Sequence, residues 1–386
     1  MNYVAHMIGE YLGHTLNWVY SQIKYVRKYT PYVITRKTIN LDSYPLERIY
    51  TSRKADIAPT TRMSWPERII RRMGFLPPVD FRCFSNVLRR YPPLFLHAHF
   101  GWEGFFALGL KRKHNIPLVT RFYGYDVGIL PQIPLWRRRY RRLFSQGDYF
   151  IVEGNNMKNT LMGMGCPESK IYVHHLGVEL EKTPYQSRVP HSQIMRVLIA
   201  ASFKEKKGIE YALRAIAGVQ AIRNDIELQT MIIGDGPLRD LLHGLAKDLE
   251  IDKSIQWMGY RSHDFFVQQL YDFDLFLSPS VTALNGDTEG GAPVALIEAG
   301  ASGLPVISTT HADIPEVVLN GKTGILVPER SVDALVDAVL YLGRNPETRI
   351  DMGKQARLHI ETNYHAEIQG KQLEAMYSSF DQTING

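Results

Sequence analysis

Short runs of consecutive apolar residues alternate along this chain with longer stretches whose apolar positions recur at helical spacing. In the first half the runs at residues 4–8, 32–35, 94–98, 117–122 and 149–152 predict strands. A loop through Gly9 and Gly13 follows the first of them, and residues 16–29 predict a helix. A polar stretch at 181–192, carrying Pro184 and Pro190, reads as a linker, after which the alternation restarts. Strands are predicted at 196–201, 228–233, 254–257, 275–277, 306–308 and 324–327, with helices at 209–222, 237–249, 264–271 and 332–342. Buried strands alternating with helices build parallel sheets covered on both faces. The expected fold is α/β, with two doubly wound sheets in tandem and ligands at the carboxyl ends of the strands, in the cleft between them. The expected domains are residues 1–187 and 188–365, with a helix at 366–386 packing back toward the first.

Composition narrows the class. The 386 residues are 45% hydrophobic and 22% charged, as in a globular protein with two cores. Cys83 and Cys166 are isolated and stand in no CxxC or paired-histidine spacing, so neither a disulfide framework nor a zinc site is expected, and a reducing cytoplasm fits. No apolar run is long enough to span a bilayer, and the first residues lack the basic and apolar regions of a signal peptide. The net charge of +6 conceals an asymmetry. Residues 1–190 hold 28 basic against 13 acidic side chains, a net of +15, and residues 191–386 hold 17 against 26, a net of −9. One half is therefore suited to an anionic surface or ligand.

The densest chemistry lies at residues 288–308, TEGGAPVALIEAGASGLPVIS. Gly290 and Gly291 let backbone amides approach a ligand, Pro293 suits a helix first turn, and Gly303 stops the helix predicted at 294–301. A glycine-rich loop feeding a helix N-terminus is an anion site, because free amides and the helix dipole point at it. Glu298, about a turn into that helix, is placed for hydroxyls rather than phosphate. Other predicted strands end in similar turns: Ala201 to Gly208 with Lys207, Gly234-Asp235-Gly236-Pro237, Trp257 to Tyr260, and Leu277 to Ser280.

Together these segments resemble the retaining glycosyltransferases of family 4, which have the GT-B fold of two facing Rossmann-like domains. KKG at 206–208, GDGP at 234–237, the segment at 289–308 and HADIPEVVLNGKTGILVP at 311–328 carry the resemblance. HAHFGWEG at 97–104 and FYGYDVG at 122–128 look like acceptor-side segments of bacterial polysaccharide members. The resemblance implies that Glu289 lies near the donor sugar, that Glu298 binds ribose, and that Lys207 neutralises the diphosphate leaving group. Ser202, Gly234, Tyr260, Gly290, Gly291, Ala292 and Pro293 are the further donor-site candidates; His99, Tyr123 and Asp126 are the acceptor-side ones. No metal or other cofactor is expected. Three departures stand out: eight residues separate Glu289 from Glu298, one more than usual; Ser202 replaces an arginine; and Tyr123 replaces a histidine.

His97 and His99 alternate at a strand end, so one of them is expected to face the cleft, and Asp126 is either a turn former or a cleft residue. Arg137, Arg138, Arg139, Arg141 and Arg142 lie in one predicted helix, with Leu135, Arg139 and Arg142 expected on one side and Trp136, Tyr140 and Leu143 on another. Such a run suits anionic lipid or an acidic or lipid-diphosphate acceptor, and no nucleic-acid recognition fold accompanies it. The expected function is transfer of a sugar from a UDP- or GDP-linked donor to a lipid-linked or polysaccharide acceptor in cell-surface glycan synthesis. The expected place is the inner face of the plasma membrane. The alternative is a catalytically degenerate subunit that binds partners in a glycan assembly complex.

Overall fold

A computed structural model describes residues 2–13, 16–53, 64–188, 194–222 and 226–385. Met1–Gly177 together with Ala366–Gly386 form one compact unit, and Val178–His365 form the other.

The first unit runs β1 (Tyr3–Tyr11), α1 (Asn17–Lys24), β2 (Thr30–Thr38), β3 (Ile49–Thr51), α2 (Trp65–Arg72), α3 (Pro78–Arg90), β4 (Pro93–His99), α4 (Gly101–His114), β5 (Leu118–Arg121), α5 (Gly124–Gly128), α6 (Pro134–Gln146), β6 (Tyr149–Val152), α7 (Asn155–Gly163) and β7 (Ile171–Val173). Its strands lie in the order β3-β2-β1-β4-β5-β6-β7, all parallel. Val4, Ala5, Phe95, Leu96, Val119 and Phe150 are fully buried, which is why these strands read as continuous apolar runs. Two local expectations fail. β1 does not turn at Gly9 but pairs on to Tyr11, because the missing side chain leaves room for Arg36, whose Nη2 would lie 2.1 Å from an added Cβ. The first helix stops at Lys24, and the amides of Arg27 and Lys28 donate to the Glu374 carboxylate instead of continuing it.

The second unit runs β8 (Ile194–Ala200), α8 (Ile209–Ala221), β9 (Glu227–Ile233), α9 (Arg239–Asp248), β10 (Ile255–Gly259), α10 (His263–Gln269), β11 (Leu275–Ser278), α11 (Val294–Ser302), β12 (Val306–Thr309), α12 (Ile314–Val317), β13 (Gly324–Val327), α13 (Val332–Arg344) and α14 (Pro346–Asn363). The strand order β10-β9-β8-β11-β12-β13 reverses direction between β8 and β11, and the crevice at the carboxyl ends of such a pair is where doubly wound sheets bind ligands. Ile199, Ile232, Leu277 and Ile307 fill the core, with α8 and α13 packed on it.

The last helix, α15 (Ala366–Asn385), belongs to the first unit. Leu373, Tyr377 and Phe380 pack with Phe95, Val119 and Ile151, and the Phe380 ring stacks on Tyr149 at 3.9 Å. The units divide after Gly177, earlier than residue 187. The chain beyond it is already tied into the second unit: the Val178 amide donates to the Tyr364 carbonyl, and Arg188 donates to the carbonyls of Leu270, Phe273 and Gly303. Residues 189–192 of the expected linker lie outside the described residues.

Candidate active site

The β8 exit presents Lys207 at the end of a 3-10 turn, Glu205–Lys207, and Gly208 closes that turn with φ +62°. An added Cβ at Gly208 would lie 1.8 Å from the Pro279 carbonyl oxygen, so only glycine lets this turn press on the β11 exit. That approach sets Lys207 Nζ 2.8 Å from Glu289 Oε2, while Ser280 Oγ donates to Glu289 Oε1 at 2.8 Å. Burial alone would push the Glu289 carboxyl up, but Lys207 and Lys206 outweigh it and hold it below the ordinary carboxylate value. Lys206 donates to Asp287 and to the Thr288 carbonyl, which pins the segment leading into Glu289.

Backbone geometry shapes the rest of the loop. The Glu289 amide donates to His311 Nε2 at 3.1 Å, so His311 carries its proton on Nδ1 and donates it to Glu329 at 2.7 Å. Glu329 also accepts from the Thr282 amide. Gly290 takes φ +79° and donates to Thr288 Oγ1, and the loop enters α11 through Ala292 and Pro293. Among the described residues no protein acceptor meets the amides of Gly291 and Ala292. Free amides before a helix N-terminus favour an anion.

Glu298 is buried within α11, and His263 Nε2 lies 2.6 Å from its Oε1. The hydrogen bond to Glu298 raises the His263 pKa above its ordinary value, against the opposing effect of burial. Gly234 and Gly236 let the β9 exit fold against the β8 exit: added Cβ atoms would come within 1.9 Å of the Ala201 carbonyl oxygen and 2.8 Å of the Phe203 amide. Asp235 is committed to this turn through the Gly236 amide and Arg239. Ser202 and Tyr260 are exposed at the β8 and β10 exits. A cavity of about 930 Å³ in the second unit lies at the opposite end of its sheet, lined by Arg196, Glu227 and Ile255 at strand starts.

In the first unit Asp126 accepts the amides of Gly101 at 2.6 Å and Tyr123 at 2.7 Å, bracketing the β4 and β5 exits. Burial lifts its pKa to about 7 despite these bonds. His97 and His99 do not take opposite faces: residues two apart in a strand share a face, and the two rings stack with centroids 4.7 Å apart. His99 Nδ1 pairs with the Tyr123 hydroxyl at 2.8 Å and its Nε2 with His6 Nδ1 at 3.0 Å, whereas His97 Nδ1 pairs with the Tyr377 hydroxyl at 2.5 Å. Burial holds His97 and His99 well below the ordinary histidine value, and His6 at about 3. One nitrogen each of His6, His97 and His99 lies within 4.8 Å of the others, but the buried Arg121 guanidinium opposes positive charge on His97 and His99 and disfavours a cation there. His99, Tyr123 and Asp126 are thus brought together as a buried, interlinked group.

The arginine run divides. Arg137, Arg138, Arg141 and Arg142 are exposed on α6, but Arg139 is buried with Tyr140 and Leu143 rather than sharing an outward side with Leu135 and Arg142. Its guanidinium lies over the Trp136 ring at 4.7 Å and donates to the carbonyls of Arg71 and Arg72. Of the residues that bond to this group, His263, His311 and Glu329 were not among the candidates named from the sequence. His311 opens the HADIPEVVLNGKTGILVP segment at 311–328 and Glu329 directly follows it, whereas His263 has only its position after the strand predicted at 254–257.

Comparison with known proteins gives this geometry a family. Residues 27–182 match the family "Glycosyltransferase Family 4", and residues 189–359 match "Glycosyl transferases group 1". The amylovoran biosynthesis glycosyltransferase AmsK of Erwinia amylovora is 33% identical over 72% of this chain and 68% of its own length. A putative colanic acid biosynthesis glycosyltransferase, WcaL of Escherichia coli K12, is 31% identical over 72% and 69%. Among solved structures, a sucrose-phosphate synthase from Thermosynechococcus elongatus superposes with a TM-score of 0.77 at 16% identity, covering 99% of this chain and all of its own. Anabaena HepE in complex with UDP and glucose superposes with a TM-score of 0.75 at 14% identity, covering 97% of this chain and 99% of its own. With both halves matched and the paired parallel sheets shared with these structures, the chain belongs to the family 4 glycosyltransferases and has the GT-B fold.

Proposed function

We propose that this glycosyltransferase moves a sugar, with retention at the anomeric carbon, from a UDP- or GDP-linked donor to a lipid-linked or polysaccharide acceptor in cell-surface glycan synthesis. The observation that carries this reading is Lys207 held 2.8 Å from Glu289, directly before the Gly290-Gly291-Ala292 amides and α11 with Glu298. Breaking a sugar–phosphate bond develops negative charge on the departing diphosphate. A fixed ammonium and the amides before a helix stabilise that charge most in the transition state. Glu298 then takes the ribose hydroxyls, in competition with His263 at Oε1. This reading assigns charge neutralisation to Lys207 and backbone amides, so transfer is expected to persist in EDTA. The relatives named for amylovoran and colanic acid synthesis support a polysaccharide acceptor, and the HepE complex supports a uridine donor.

His99, Tyr123 and Asp126 serve the acceptor side by shaping the β4 and β5 exits, since their polar atoms are already engaged. The exposed arginines of α6 suit association with the anionic inner face of the plasma membrane. No helix among the described residues is long and apolar enough to cross a membrane.

A panel of nucleotide sugars, read by product NMR, tests the reading. One UDP- or GDP-sugar is expected to give a product with the donor's anomeric configuration; an inverted product would contradict retention. Failure of the whole panel, with no nucleotide bound in calorimetry, would favour the degenerate subunit suggested by Ser202.

A further inference from the structure

Helix α2 is built inside out. Two of its charged side chains face the protein: Glu67 pairs with Arg53 at 2.9 Å, and Arg71 lies 3.8 Å from the buried Glu103 and 4.3 Å over the Phe106 ring. Arg139 of α6 closes its C-terminus by donating to the carbonyls of Arg71 and Arg72, at 3.0 and 2.6 Å. Ser64 and Glu67 form a capping box at the other end. The outward face then carries Trp65, Arg68, Ile69, Arg72 and Met73, which follow the spacing of one helical stripe. Trp65 is 75% exposed and Met73 67%, and Phe75 just beyond the helix is 57% exposed. A soluble helix places its apolar stripe against the core, and this one turns it to solvent while ion pairs hold the opposite face.

We propose that the outward face of α2 inserts Trp65, Ile69, Met73 and Phe75 into the headgroup and acyl boundary of an anionic bilayer. Arg68 and Arg72 stand on the same stripe and meet lipid phosphates, which is the composition of a helix lying in a membrane interface. Tryptophan suits that depth, with an apolar ring and one polar N–H. The arginines also decide against a second copy of the chain. In a twofold pairing of identical faces, Arg68 and Arg72 would meet like charge. The inference rests on the peripheral-membrane part of the proposed function and adds the inserting element. The α6 arginines supply attraction from a distance, and α2, bonded to α6 through Arg139, supplies the apolar anchor.

Sedimentation of the full chain with phosphatidylcholine vesicles, with and without phosphatidylglycerol, tests it. The wild type is expected to bind the phosphatidylglycerol vesicles preferentially. The triple variant Trp65→Ser/Met73→Ser/Phe75→Ser should bind them about ten-fold or more weakly, with an unchanged circular dichroism spectrum and thermal midpoint, because these side chains are exposed. Brominated lipid should quench wild-type fluorescence, and Trp65→Phe should lose most of that quenching while still binding. If the triple variant binds as well as the wild type while Arg138→Glu/Arg141→Glu/Arg142→Glu does not, α2 insertion is overturned and membrane association stands. If the wild type binds no vesicle, both fall. A concentration-dependent dimer abolished by the triple variant would overturn the bilayer in favour of a second copy. None of these outcomes bears on sugar transfer, which the donor panel tests separately.

Discussion

Lys207 and Glu289 share one partly buried ion pair, and this changes how a substitution at either should be read. Truncating Lys207 removes a cation from the proposed diphosphate site and also leaves the Glu289 carboxylate with Ser280 as its remaining side-chain donor. Breaking one side of a fully buried pair costs about 3–5 kcal/mol, less where one partner is part exposed as Lys207 is, and neutralising both sides costs less again. Lys207→Ala is therefore expected to lower the unfolding free energy clearly more than Lys207→Ala/Glu289→Gln does, by denaturant titration. Both should fall at least about 100-fold in transfer rate, the scale of losing one donor to a developing oxyanion. Equal stability of the two variants would show that the pair is not coupled.

The second residue pair titrates. The His263 pKa is raised above 6.5 by Glu298, so the His263–Glu298 interaction is complete below pH 6.5 and is lost as pH rises through the raised value. Ribose competes with a protonated imidazole for Glu298 in that window. Nucleotide affinity is therefore expected to rise with pH across it and binding to release a proton, detectable by calorimetry in buffers of different ionisation enthalpy. In Glu298→Gln the His263 titration, followed by NMR, should move back toward the ordinary histidine range. An unchanged titration would remove Glu298 as its cause.

At the scale of elements, strands and glycine turns were legible because each obeys a local rule. The run at 149–152 and the segment at 324–327 were read with the bounds the structure shows, being short, apolar and buried. β3 and β7 were not read: each is three residues at a sheet edge, too short for a pattern. The overlong first helix shows what sequence hides, since its stop is set by Glu374, far along the chain. Arg139 is similar. Its charge marked it as surface, but aromatic rings and two carbonyl acceptors make a buried position stable. Gly208 gives the prediction at this scale. With φ +62° and the Pro279 carbonyl oxygen 1.8 Å from an added Cβ, Gly208→Ala must displace the β8 exit from the β11 exit. A loss of about 2 kcal/mol or more is expected in denaturant unfolding. Any folded fraction should have a weakened Lys207–Glu289 contact and reduced transfer. Full stability and activity would show that the two exits need not touch.

For the whole molecule, charge and connectivity divide the labour between the units. The basic first half carries the exposed arginines and the outward apolar stripe of α2, and the acidic second half carries the glycine loop that precedes α11. The final helix crosses this division in sequence, leaving the second unit to complete the first unit's core with Tyr377 and Phe380. The candidate site was legible as a set of turns at strand exits, Lys207, Gly234 and Glu289 to Glu298, and doubly wound sheets place ligands at such exits. The sequence could not show that Lys207 and Glu289 would meet, or that His263 would sit on Glu298, because those contacts depend on packing between strand exits. Calorimetry of UDP and GDP binding to the wild type, Lys207→Ala and Glu298→Ala tests the central claim most directly. The wild type should bind one nucleotide, each variant should bind it about ten-fold or more weakly, and loss of the β-phosphate should erase the Lys207 effect but keep the Glu298 effect. Wild-type affinity in both folded variants, or no nucleotide binding by the wild type, would contradict the account.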